Sequence, residues 1–114
     1  MIALDPRAAA RVAVSPRPEK AATATLHDSA DVRLLVFRLA PGQAVAPHRN
    51  SSTVMLTVLD GAGILTGEDG EAPVDRPCVA GDVVVYAPNE LHAMRAEGEE
   101  LLLLATITPR PGSR

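Results

Sequence analysis

The sequence predicts an all-β, single-domain antiparallel barrel with little or no helix, and three observations carry that expectation. Ten prolines and eight glycines interrupt 114 residues, leaving almost no uninterrupted room for a three-turn helix. Between these breaks lie short runs rich in Val, Ile, Leu and Thr, the residues that pack well on a pleated surface. The runs are closely spaced and joined by turn-forming residues, a pattern of sandwiches and barrels rather than of βαβ units. The length suits one core and is too short for two.

In chain order, residues 1–20 read as an N-terminal arm, 21–108 as the barrel and 109–114 as a flexible tail. The arm carries one helical candidate at residues 5–11, with Asp5 at the N-cap and Pro6 at the first helical position, followed by a candidate edge strand at 11–14. Strands are then expected at 22–26, 32–39, 44–49, 54–59, 63–66, 72–74, 83–87, 92–96 and 100–108. Asp60-Gly61 between two apolar runs is a hairpin signal, and Glu68-Asp69-Gly70 a second, longer one. Pro41-Gly42 and Ala80-Gly81-Asp82 mark further reversals.

Several strands are apolar at both parities, as in Leu34-Leu35-Val36-Phe37, Val83-Val84-Val85 and Leu101-Leu102-Leu103-Leu104. Each would show hydrophobic side chains on both faces of its sheet, so something must cover the outer face. A two-fold homodimer through that face is the expectation, with an N-terminal segment folded over it as the alternative. The net charge of −3, the scattered basic residues and the near absence of aromatic rings argue against nucleic acid as a partner. No run is long and apolar enough to suggest a membrane helix, and nothing in the first ten residues resembles a secretory signal, so the cytoplasm is expected. The single cysteine, Cys78, fits a reducing compartment and reads as a small buried hydrophobe rather than a reactive thiolate.

Chemistry-bearing residues are few. His48 lies two residues before Asn50 on an expected strand, which would put both side chains on one face. His92 opens a later strand after Ala87-Pro88-Asn89-Glu90. His27, near Asp28 and Ser29 in an expected turn, reads as a surface residue.

At these positions the chain resembles the cupin superfamily, whose fold is a double-stranded β-helix or jelly-roll barrel. Gly42, His48, Asn50 and Gly61 are similar in order and spacing to the first cupin motif. The run from Gly81-Asp82 through Val83-Val84-Val85-Tyr86 to Pro88 and His92 resembles the second. The resemblance implies a divalent metal such as iron, manganese, zinc or nickel, held by two His and a Glu of the first motif and a His of the second. Here His48 and His92 match, Asn50 stands in place of a His, and Val54 stands in place of the Glu. Two neutral imidazoles and an amide supply no negative charge, so a metal would be held weakly. Asn89 replaces a frequent Gly and is the non-glycine residue that best tolerates a left-handed turn. The proline sits one place later than in the motif, but the Gly81-to-His92 separation is kept, so a locally altered turn with His92 still facing inward is expected.

Two functions from different classes are expected, with a dimeric scaffold or partner-binding unit as a third reading. The first is a barrel that binds a small molecule at His48, Asn50 and His92, with Tyr86 and Met94 among the lining and no metal. The alternative is a metal-dependent enzyme of the dioxygenase or isomerase type with His48, His92 and Asn50 as tentative ligands. The residues identify neither a catalytic group nor the ligand, and Glu90 or Asp60 could stand in for the missing carboxylate.

Overall fold

In the computed structural model, which describes residues 1–112, one helix precedes eight antiparallel strands. Helix α1 (Pro6–Val12) starts where the sequence places it, with the Asp5 carboxylate accepting from the Ala8 amide at 3.1 Å. It runs through the first half of the expected edge strand at 11–14, and no strand forms there. The alternation of Val12 and Val14 suggests a half-buried strand, yet both side chains are exposed; the segment is instead anchored by buried Ala10 and by Arg38, which donates to the Ala13 carbonyl at 2.7 Å.

The strands are β1 (Ala22–Asp28), β2 (Arg33–Leu39), β3 (Ala44–His48), β4 (Thr53–Asp69), β5 (Ala72–Val79), β6 (Val83–Tyr86), β7 (His92–Arg95) and β8 (Leu101–Thr108). One layer is built from β1, β2, β8, the first half of β4 and β6, and the other from β5, the second half of β4, β7 and β3. Leu39, Val54, Leu56, Leu65, Tyr86, Met94, Leu101 and Leu103 fill the space between the layers. His27 lies in β1, paired with Leu34 beyond a register shift, rather than in a turn.

The expected hairpin at Asp60-Gly61 is absent. β4 runs straight through these residues as one 17-residue strand, and a register shift between Val58 and Asp60 marks a bulge where it passes from one layer to the other. Gly61 has φ +77°, and a Cβ there would lie 1.8 Å from the Glu100 carbonyl oxygen, so the position excludes any side chain. The Asp60 carboxylate accepts from the Gly61 amide at 2.9 Å and pairs outward with Arg11 at 2.8 Å. The second expected hairpin does form, with Asp69 opposite Ala72 across Gly70-Glu71. β5 is longer than expected because Pro73 and Pro77 fall on an edge strand, where a missing amide donor is tolerated.

Chain crossings between layers gather at the end of the barrel marked by Gly61: residues 40–43, Gly61 itself, residues 80–82 and residues 96–100. At the other end only the loops at 49–52 and 87–91 cross. Of the expected tail, Pro109 accepts from the Ser52 hydroxyl and the Arg110 amide donates to the Ala30 carbonyl at 3.3 Å; residues 113 and 114 lie outside the described residues.

The doubly apolar strands are answered partly within the chain. Helix α1 packs Ala10 against Val36 and Leu102 on the outer face of the first layer, with Ala24, Leu59 and Leu104 around them. Beyond the helix, Val83 and Val85 on β6 stay 57 % and 59 % exposed.

Candidate functional site

The site lies at the end with fewer crossings. β3 is an edge strand, and a register shift between Val45 and His48, at Pro47, alters the alternation so that His48 comes opposite His92 of β7. The two rings meet edge to face with centroids 4.0 Å apart, and the Tyr86 ring lies on His92 at 5.0 Å. His92 is only 3 % exposed, whereas His48 sits at the open rim. The sequence expectation that His92 faces inward holds, carried by Asn89 at φ 66° in the preceding turn.

Each imidazole is oriented by the carbonyl two residues before it in the chain. His48 Nδ1 is 2.9 Å from the Ala46 carbonyl oxygen and His92 Nδ1 is 3.3 Å from that of Glu90. A carbonyl can only accept, so both Nδ1 atoms carry the proton in the neutral ring and both Nε2 atoms keep a lone pair. An acceptor behind the ring is also how metal-ligating histidines are commonly oriented.

Burial lowers the pKa of His92 from the ordinary 6.5, the nearby His48 adds to the effect, and the Glu90 carbonyl opposes it. The folded protein therefore binds the proton less readily than the unfolded chain. The stability held by neutral His92 is present above pH about 6.5 and drains away as pH falls towards the folded-state value. We expect the His92 ring resonances in an NMR titration to change at a pH below 6.5; a midpoint at or above it would contradict the burial of this ring.

Asn50 is not on the strand with His48. β3 ends at His48, and Asn50 lies in the loop beyond, its side-chain oxygen accepting from the Ser52 amide at 2.8 Å and its carbonyl from the Asn89 amide at 2.7 Å. Val54 points into the core opposite Tyr86, so no carboxylate stands at the motif position. Neither candidate substitute is at hand: Glu90 accepts from the Glu68 and Ala87 amides at 3.1 and 3.0 Å, and Asp60 is at the opposite end. Among the described residues no group of three or more His, Cys, Asp or Glu could hold a metal ion. The donor set is two neutral imidazoles, which does not fit a complete cupin metal centre. Tyr86 and Met94, expected as lining, are buried members of the core.

Two residues that no sequence motif singles out frame the site. Arg49 donates to both Glu68 oxygens at 2.7 and 3.3 Å and to the Asn89 carbonyl at 2.7 Å, while Glu68 also accepts from the Leu91 amide at 2.6 Å. Arg49 and then the Leu91 amide hold the Glu68 pKa below its ordinary value. This network ties the loop after His48 to the loop before His92. Arg49 follows a motif residue directly, but nothing local marks Glu68 as its partner.

With two motif histidines converging inside a two-layered antiparallel barrel, the comparison with known families is unambiguous. The cupin-domain family matches residues 35–108, and the chain belongs to it. Among solved structures it is similar to a conserved double-stranded β-helix protein from Klebsiella pneumoniae, with a TM-score of 0.78, 20 % identity, and coverage of 92 % of this chain and 90 % of that one. An RmlC-like cupin protein from Desulfovibrio desulfuricans gives a TM-score of 0.71 at 27 % identity, with 86 % and 91 % of the chains covered. KdgF from a Halomonas species gives 0.74 at 18 %, with 86 % and 87 % covered. A search of the curated proteins returned no match. No helix among the described residues is long and apolar enough to cross a membrane.

Proposed function

We propose that this cupin barrel binds a small molecule at the His48–His92 mouth without a resident metal. The observation that carries this reading is the pair of imidazoles 4.0 Å apart, each Nδ1 committed to a backbone carbonyl, with no carboxylate to balance an ion. Two neutral Nε2 atoms are hydrogen-bond acceptors, so the ligand offers hydroxyl or N–H donors. Asn50, with its side-chain oxygen already engaged, contributes through its NH2 group. Met94 and Tyr86 shape the floor beneath. Thermal-shift screening against polar metabolites, with metal analysis of untagged protein, tests this. A stabilising ligand lost in His48→Ala and His92→Ala supports the reading; stoichiometric metal that disappears in the same variants replaces it with the second.

That second reading, a metal-dependent enzyme on His48, His92 and Asn50, is favoured by one observation: the carbonyl behind each ring leaves Nε2 presented as a ligand. It requires Asn50 to release the Ser52 amide or to share its oxygen, and affinity for iron, manganese, zinc or nickel would be weak without a charged donor.

We also propose a homodimer joined through the part of the first layer that helix α1 leaves open, around Val83 and Val85. In sedimentation velocity the parent should run as a dimer and Val83→Lys/Val85→Lys as a monomer; a monomeric parent at 100-micromolar-scale concentration (roughly, the upper range for weak association) would refute it. The buried thiol of Cys78 suits a cytoplasmic setting.

A further inference from the structure

Among the described residues four strands form the lateral edges of the two layers: β1 and β6 of the first, β3 and β5 of the second, each hydrogen-bonded to one neighbouring strand. An edge with free amides and carbonyls invites another strand, and proteins blunt such edges with prolines, charges, bulges or short length. Three of the four are blunted. β3 carries Pro47, β5 carries Pro73, Asp75, Arg76 and Pro77, and β6 is four residues long. β1 is seven residues long, and from Ala22 to Leu26 it has neither proline nor charge; its bulge, His27 and Asp28 protect only the far end. Its two faces are also reversed. Ala24 and Leu26 pack under helix α1 on the outer side, whereas Thr23 and Thr25, paired with the core-packed Phe37 and Leu35, stand exposed on the inner side. β3 is the last strand of the second layer, and between it and the inner side of β1 and β2 a cleft of ≈ 250 Å³ stays open. Thr23 and Phe37 form one wall, and Ala44, Val45 and Ala46 the other.

Free main-chain groups along an edge, with a cavity beside them for alternate side chains, are the two parts of strand addition, in which an extended peptide joins an exposed sheet. The cavity falls below the roughly 300 Å³ at which pockets for drug-sized molecules begin, which suits one large aliphatic side chain. Lys20, just before β1, is the one charged residue in the lining and makes no ion pair among the described residues. An antiparallel guest would end beside Lys20, so a carboxylate belongs at its C-terminal end. A second copy of β1 matches poorly, because the residues it would turn to the cleft are again threonines. We propose that residues 22–26 of β1 receive an extended segment of a partner protein, antiparallel, with a large aliphatic side chain in the β1–β3 cleft and an acidic residue towards Lys20. This edge lies across the first layer from Val83 and Val85, and the cleft includes neither His48 nor His92, so the proposal depends on neither earlier reading.

The probe is the peptide acetyl-Thr-Val-Thr-Leu-Thr-Glu-amide, titrated into the full chain and read by the chain's amide resonances. Thr23, Thr25, Phe37 and Val45 should shift saturably. Pro-Pro in place of Val-Thr removes main-chain donors and should weaken binding by about tenfold or more. Gly in place of Leu leaves the cleft unfilled and should cost about as much. Lys in place of Glu should weaken binding by about two- to threefold, the scale of an exposed ion pair, and Lys20→Glu should reverse the preference between the two peptides. An unresponsive β1, equal binding of the proline or glycine peptide, or a Lys20→Glu chain that keeps the parent's preference would overturn the proposal. Shifts at Thr23 and Thr25 that grow with protein concentration before any peptide is added would overturn it too, in favour of a second copy of the chain as the occupant.

Discussion

Gly61→Ala is expected to cost about 4 kcal/mol, combining a left-handed residue with a methyl group forced into backbone. For a chain of this size that lowers Tm by about 15 °C. The added Cβ would sit 1.8 Å from the Glu100 carbonyl oxygen and 2.9 Å from its carbon, and backbone cannot swing aside as a side chain can. Gly81 supplies the control, with φ +95° and nothing within 4 Å of the methyl group that alanine would add. Gly81→Ala incurs only the backbone strain, about 1–2 kcal/mol. Urea denaturation of both variants decides the matter: equal losses would mean that β4 and β8 do not approach closely at Gly61.

Val54→Glu places a carboxylate at the one motif position that lacks it. Val54 is buried between Tyr86 on β6 and Ile107 on β8, so the charge enters the apolar core. Metal-free variant should lose about 3–5 kcal/mol at neutral pH, the scale for an uncompensated buried charge. Because burial favours the protonated acid, the loss should shrink at lower pH through this group. Divalent zinc or manganese should then restore stability in a concentration-dependent way, since the ion binds only the folded form. The same ions should do nothing for Val54→Glu combined with His48→Ala. A variant as stable as the parent, or one that metal does not rescue, would show that position 54 does not reach the histidine pair.

Most strands were legible because their ends are written locally: Pro41-Gly42, Glu68-Asp69-Gly70 and Ala80-Gly81-Asp82 reverse the chain where expected. Asp60-Gly61 was misread for a physical reason. The same dipeptide serves a tight turn or a glycine bulge, and what decides between them here is the approach of Glu100 and Leu101, some forty residues away. The two motif histidines were legible through the resemblance to the cupin motifs, and their convergence follows from the register of β3 on β7. Asn50 was misplaced because strand alternation was carried past Pro47, where the register shifts. The Arg49–Glu68 pair spans 19 residues and the Arg49–Asn89 contact 40, distances over which no periodicity speaks.

The uneven distribution of layer crossings gives the barrel the layout of a spring clip. Its hinge is the Gly61 end, where a continuous strand and three turns bind the layers together, and its jaws are the end that holds the imidazoles. Width at the jaws is set by two loops latched through Asn89, which receives Arg49 at its carbonyl and gives its amide to Asn50. Under the proposed binding at the imidazole end, a guest would enter where two loops alone join the layers, away from the end where a continuous strand and three turns hold the core.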